Sequence, residues 1–195
     1  MTPSARALPA LLIAFRVVAG PLLLVDALDG EAGAGFVVLF LAAFLSDVLD
    51  GVIARRLGVA SAGLRRADSL ADLVLYACVF ASAWLVHRDV VLAFRWPLAA
   101  VVATLLAAYA VSLIKFGRPP SYHAYSAKAW GLLLGVATVA LFGFGYAGLA
   151  LWGAILGGVV NNLEDVAITL VLPRGAHDIP TLAAALRLRA AGRSG

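Results

Sequence analysis

The chain has 195 residues, of which 63% are apolar and only 13% carry a charge. This balance excludes an ordinary soluble fold and points to one membrane-embedded domain over residues 1–195. Cys78, the single cysteine, lies inside an apolar run and excludes both a disulfide framework and a cysteine metal cluster; the formal net charge of +4 is explained by basic loops between spans, so no nucleic-acid partner is expected.

The first apolar run covers about 8–28, roughly the twenty residues that a span needs. It leads on into further spans without a convincing cleavage site, so a retained helix is expected and not a signal peptide. It holds Arg16 and Pro21, and a short acidic loop with Asp26, Asp29 and Glu31 follows. The second span starts near Gly35, and its last two turns carry Asp47, Asp50 and Arg55. After a short basic connection the third span is expected over 68–86, and the fourth over 90–116 with Arg95 and Pro97 near its start. Residues 129–160 are apolar without a charge, too long for one span and long enough for two, with the turn expected in the glycine-rich run 143–148. The sixth span ends near Leu172, before Pro173, and a polar tail over about 174–195 contains a short amphipathic stretch at 182–188. The expected fold is all-α and integral to a membrane, with six transmembrane helices.

Six spans place both termini on one side. The N-terminus with Arg16 of the first span, the 55–66 connection, the 115–128 loop and the tail hold 13 of the 15 basic residues, and only Arg88 and Arg95 lie on the opposite loops. By the positive-inside rule the first set faces the cytosol, in a bacterial-type plasma membrane.

Against this apolar background, Asp47, Asp50, Gly51 and Ala54 fall at i, i+3, i+4 and i+7 of one helix, which is one face. Asp68 and Asp72 share a face of the next. Two helices joined by a loop thus point four carboxylates into one space, where they repel unless a cation lies between them. Hard divalent cations with oxygen ligands fit such a set, and Mg²⁺ favours carboxylates together with substrate phosphates. Ionisable groups inside spans are costly, so a functional role is the default reading.

The spacing resembles the signature of the CDP-alcohol phosphotransferase family, D-x2-D-G-x2-A-R-x8-G-x3-D-x3-D, in a segment covering 47–72. Asp47, Asp50, Gly51, Ala54, Arg55, Asp68 and Asp72 match in register, whereas Leu64 stands where the second glycine belongs and Gly63 comes one place early. Arg16 followed five residues later by Pro21 also looks like the first helix of this family. The resemblance implies that Asp47, Asp50 and Asp68 hold one divalent ion and Asp47, Asp68 and Asp72 a second, either Mg²⁺ or Mn²⁺. It further implies that Asp72 is the general base, and that a substituted phosphate passes from a CDP-alcohol such as CDP-diacylglycerol to a hydroxyl acceptor with release of CMP. The active site would then lie at the cytosolic ends of helices 2 and 3. Gly51 and Ala54 are small where a nucleotide must approach the backbone, and Arg55 can fork onto a phosphate. Ser61 precedes Asp68 by seven, as a hydroxyl residue often does in the family.

Two further polar regions stand out. Lys115, Arg118, His123 and Lys128 lie in the 115–128 loop and could bind the phosphate of a phosphorylated small alcohol acceptor, or serve as positive-inside charge against anionic lipid. Asn161, Asn162, Glu164 and Asp165 lie within the sixth span, where they could line an acceptor cavity, pair with Arg16 or Lys128, or act as interhelical polar glue. Gly131-x3-Gly135 and Gly153-x3-Gly157 allow close helix approach, and the family resemblance implies a homodimer. Alternative readings of the aspartates are a small multispan cation-binding transporter and a Mg²⁺-dependent membrane prenyltransferase. The latter needs aspartate motifs on well-separated helices, and Gly-x2-Ala-Arg has no role in it.

Overall fold

A computed structural model of the chain describes residues 3–59, 61–122, 124–176 and 179–191, without the side chains of residues 3–6, 55, 62, 65 and 191. The described residues form helices α1 (Pro3–Asp26), α2 (Ala34–Leu57), α3 (Ala62–Val86), α4 (Arg88–Ala93), α5 (Arg95–Phe116), α6 (Tyr125–Phe144), α7 (Gly148–Val171) and α8 (Leu182–Ala191). Six of them, α1, α2, α3, α5, α6 and α7, contain stretches long and apolar enough to cross a membrane. The protein is a multi-pass integral membrane protein, all-helical as expected. Backbone polar groups are satisfied inside each helix, which is the condition for crossing hydrocarbon. Large apolar side chains such as Leu11, Val18, Leu22 and Val25 on α1 face outward, as a lipid-exposed surface requires.

Local chemistry sets the helix ends. Gly58, Gly117 and Gly145 follow α2, α5 and α6 with positive φ, a backbone state open to glycine at little cost. The turn between α6 and α7 falls within the glycine-rich run 143–148. Two boundaries differ from the sequence expectation. The fourth span begins at Arg95, because the Pro97 ring would clash with the carbonyl of Ala93 in a continuous helix, and α4 stops at that residue. The third helix begins at Ala62, six residues early, because Ser61 caps it: its Oγ accepts the Leu64 backbone N–H at 3.1 Å.

The chain divides into two compact units, Met1–Leu92 with Thr138–Tyr146, and Ala93–Ala137 with Ala147–Gly195. In the first, α1 is the helix against which both α2 and α3 pack. A Cβ added at Gly20 would lie 3.2 Å from Leu75 Cα and 3.3 Å from the Val74 carbonyl, so α1 and α3 approach backbone to backbone there. The end of α6 joins this unit through Phe142, whose ring stacks on Phe36 with centroids 4.1 Å apart. In the second unit α5 packs on α7, and α8 folds back on α7. The close-packing glycines of α7 are taken up within the chain: a Cβ at Gly157 would meet Leu133 Cδ1, and one at Gly158 the Trp130 ring and Val101.

Gly20→Ala is expected to lower thermal stability by about 1–2 kcal/mol, since backbone cannot yield to the new methyl. Gly131→Ala, where a Cβ meets nothing within 4 Å, is expected to leave it unchanged or raise it by up to ~1 kcal/mol through helix propensity. Unfolding of both variants in one detergent measures the contrast, and equal effects would contradict a tight α1–α3 crossing.

Candidate active site

The site continues the packed faces of the first unit. On α1 the buried face runs through Ile13, Arg16, Ala19, Gly20 and Leu23; on α2 through Phe36, Phe40, Ala43, Ser46, Asp50 and Ala54; on α3 through Ala71, Leu75, Val79 and Ala83. Helical spacing therefore puts Arg16 one turn before Gly20 on α1 and Asp72 one turn before Leu75 on α3, on the same side of the crossing. The α1–α3 approach that requires glycine thereby brings a guanidinium and a carboxylate face to face.

Arg16 is wholly buried, and its two terminal nitrogens reach all four aspartates. Nη1 donates to Asp47 Oδ1 at 2.7 Å and to Asp72 Oδ1; Nη2 donates to Asp68 Oδ1 at 2.8 Å and to Asp50 Oδ2. Each nitrogen thus ties one carboxylate of α2 to one of α3. Arg16 Nε is buried with no hydrogen-bond partner among the described residues. The aspartates are graded in depth: the Asp50 side chain is 5% exposed, against 40% for Asp47, 32% for Asp68 and 37% for Asp72. Asp50 forms a floor, and the other three form a rim open to an incoming ligand.

Ligand oxygens of Asp47, Asp50 and Asp68 lie within 4.8 Å of one another, a set able to hold a metal ion. Three hard carboxylate oxygens suit Mg²⁺ or Mn²⁺. The expectation that both helices converge their aspartates is met in this geometry. The central place of Arg16 among the four aspartates is an addition to the sequence reading.

Gly51 is half-buried on α2, Ala54 is buried with its carbonyl taking the Val59 N–H at 3.1 Å, and the Arg55 side chain lies outside the described residues. Leu64 falls in the first turn of α3, as the residue whose N–H is capped by Ser61. Position 64 thus has ordinary helical backbone that any side chain adopts.

A family model described as CDP-alcohol phosphatidyltransferase matches residues 6–171, which takes in every candidate span and the whole aspartate segment. The chain belongs to this family. No curated protein and no solved structure gives a significant match. As a CDP-alcohol phosphatidyltransferase the protein is a membrane transferase of phospholipid synthesis, in a metal-dependent enzyme family whose substrates are CDP-alcohols. The transporter and prenyltransferase readings give way to it.

The remaining polar residues of this phosphatidyltransferase lie in the second unit. Lys115 Nζ donates to the carbonyls of Thr169 at 2.9 Å and Leu170 at 2.8 Å, closing the C-terminal end of α7. The Arg118 guanidinium lies against Gly175, where a Cβ would collide with it. Lys128 is exposed, with its ammonium 5.3 Å from the centre of the Tyr125 ring. His123 lies outside the described residues. Asn162 Nδ2 donates to the Val101 carbonyl and to Thr104 Oγ1, both at 3.1 Å, and Asn161 Oδ1 accepts from Ser126 Oγ. Glu164 Oε1 accepts the Leu182 N–H at the start of α8. Of the roles open to this cluster, interhelical glue describes these bonds; the Arg16 terminal nitrogens are engaged by the aspartates.

Lys115→Met is expected to cost about 1–2 kcal/mol of stability, because two helix-end carbonyls lose their donor. Lys128→Met should change it by less than about 0.5 kcal/mol, as a surface substitution. Thermal unfolding of the two variants separates them, and a silent Lys115→Met would contradict the capping role.

Proposed function

We propose that the protein transfers a phosphatidyl group from CDP-diacylglycerol to a small alcohol and releases CMP, with Asp72 as the general base. The observation that carries this reading is the convergence of Asp47, Asp50, Asp68 and Asp72 from α2 and α3 on one point, in the register of the family signature. Asp47, Asp50 and Asp68 would hold one divalent ion, and Asp47, Asp68 and Asp72 a second, as Mg²⁺ or Mn²⁺. Such ions neutralise charge on the transferring phosphoryl group and on the departing CMP oxygen.

The residues divide the work by depth and position. Asp50, at the floor, is placed to act on charge alone, because no acceptor reaches it as readily as the rim. Asp72, on the open side, takes the proton of the acceptor hydroxyl. The freed oxygen attacks the phosphorus that carries the lipid, the bond from that phosphorus to the bridging oxygen breaks, and CMP leaves with the electron pair. Gly51 and Ala54 keep the α2 backbone accessible on the nucleotide side, and Arg55 pairs with a phosphate oxygen. The distribution of basic residues supports a cytosolic orientation for both termini and for the α2–α3 connection. Arg118 and Lys128, with whatever donor capacity Lys115 retains, favour a phosphorylated acceptor.

Purified enzyme in detergent, given CDP-diacylglycerol and a panel of acceptors, should release CMP only with Mg²⁺ or Mn²⁺ present. Asp72→Asn should lower that rate by about 10²–10⁴-fold, the usual share of a general base. Release that persists in excess chelator, or an Asp72→Asn rate within threefold of wild type (a factor of about 0.65 kcal/mol), would sink the assignment. Lys128→Ala should raise KM for a phosphorylated acceptor and leave that for an unphosphorylated one unchanged.

A further inference from the structure

Four carboxylates share one guanidinium in a cluster whose floor, Asp50 and Arg16, is buried, and the guanidinium itself has a buried nitrogen, Nε, with no partner among the described residues. A buried ionic cluster is tolerated only when geometry and hydrogen bonding repay its desolvation. Here Arg16 meets that demand in part. Its four acceptor atoms are Asp47 Oδ1, Asp50 Oδ2, Asp68 Oδ1 and Asp72 Oδ1, drawn from the same carboxylates that a divalent ion would use. A divalent ion held by Asp47, Asp50 and Asp68, whose ligand oxygens lie within 4.8 Å of one another, would sit close beside the guanidinium that bonds to the same three side chains. The two cations repel at that range, and they compete for the charge of the same carboxylates.

We propose that Arg16 is an exchangeable internal cation: it holds the carboxylates of α2 and α3 together before metal arrives, and gives up its carboxylate bonds as a divalent ion enters. The inference rests on the reading of Asp47, Asp50 and Asp68 as metal ligands. Its physical content is a trade. Without any cation the four carboxylates would push α2 and α3 apart; with Arg16 between them the ligand set is already converged, at the cost of affinity for the metal that must displace it. The long arginine side chain suits this use, because its head can swing away while Cα stays anchored one turn from the Gly20 crossing. Arg16 is a positioning residue in this scheme, acting on the aspartates and not on substrate.

The test measures Mn²⁺ alone. Wild type, Arg16→Met and Arg16→Lys are purified in detergent, free Mn²⁺ is counted by electron paramagnetic resonance during titration, and unfolding is followed in EDTA and in saturating Mn²⁺. Arg16→Met is expected to bind Mn²⁺ about tenfold more tightly or better, since one charge-assisted bond alone is worth a factor of that size. Its unfolding temperature should fall below wild type in EDTA and return to the wild-type value in Mn²⁺. Arg16→Lys, a point charge without the fork that spans four carboxylates, should lie between them. Equal or weaker Mn²⁺ binding by Arg16→Met overturns the exchange, as does protein that stays unfolded in Mn²⁺, because Arg16 would then be needed in the loaded site as well. Wild type that binds no Mn²⁺ would instead remove the metal-site reading on which the exchange depends.

Discussion

Four aspartate side chains drawn to one buried guanidinium set the terms for everything around them. Like charges this close in a low-dielectric setting repel strongly, so the helices that carry them must be held by something else. That something is α1. It packs on α2 and on α3, and its Gly20 lets the α3 backbone come within van der Waals reach one turn from Arg16. The apolar faces supply the packing, and the arginine supplies the charge that allows the same faces to end in carboxylates. The compensation is incomplete at the rim, where Asp47, Asp68 and Asp72 stay partly exposed.

Polar groups within spans serve two ends in this molecule, and their partners tell them apart. In the second unit Asn161, Asn162, Glu164 and Lys115 bond to backbone carbonyls, a backbone N–H, hydroxyls and one another's amides. Those bonds are local and complete, and they join α7 to α5, to the start of α6 and to α8. In the first unit four aspartates share one arginine, beside hydroxyls such as Ser46 and Ser82 that bond to backbone carbonyls. A satisfied network stabilises a helix pair; a cluster of four acids around one base leaves room for further counter-charge.

Small residues follow the same division. Gly20 serves the crossing that aligns Arg16 with Asp72, whereas Gly157 and Gly158 make room for Leu133 and Trp130 within the second unit. The glycine spacing on α7 thus has an intrachain use. Leu64 shows the converse: it stands in the first turn of α3 under the Ser61 cap, in backbone that makes no demand for glycine. The departure from the family pattern at this position thus falls in ordinary helical backbone.

Sequence alone determined the class, the spans and the four aspartates that converge. A run of about twenty apolar residues is a span whatever surrounds it, and the helical repeat places Asp47 with Asp50 and Asp68 with Asp72 on common faces before any tertiary contact forms. Family membership follows from the same segment, since the chemistry needs those residue types at that spacing. Helix ends were less legible where a single residue decided them: the Ser61 cap moved α3 forward, and Pro97 detached α4 from the fourth span. Only the tertiary structure decided which cation meets the aspartates. Arg16 is 31 residues from Asp47 and 56 from Asp72, while four loop arginines lie far nearer in the chain. Separation along the chain carries no information about which faces of α1, α2 and α3 meet, because that depends on side-chain volume at crossings such as Gly20 and Leu75, which no periodicity encodes.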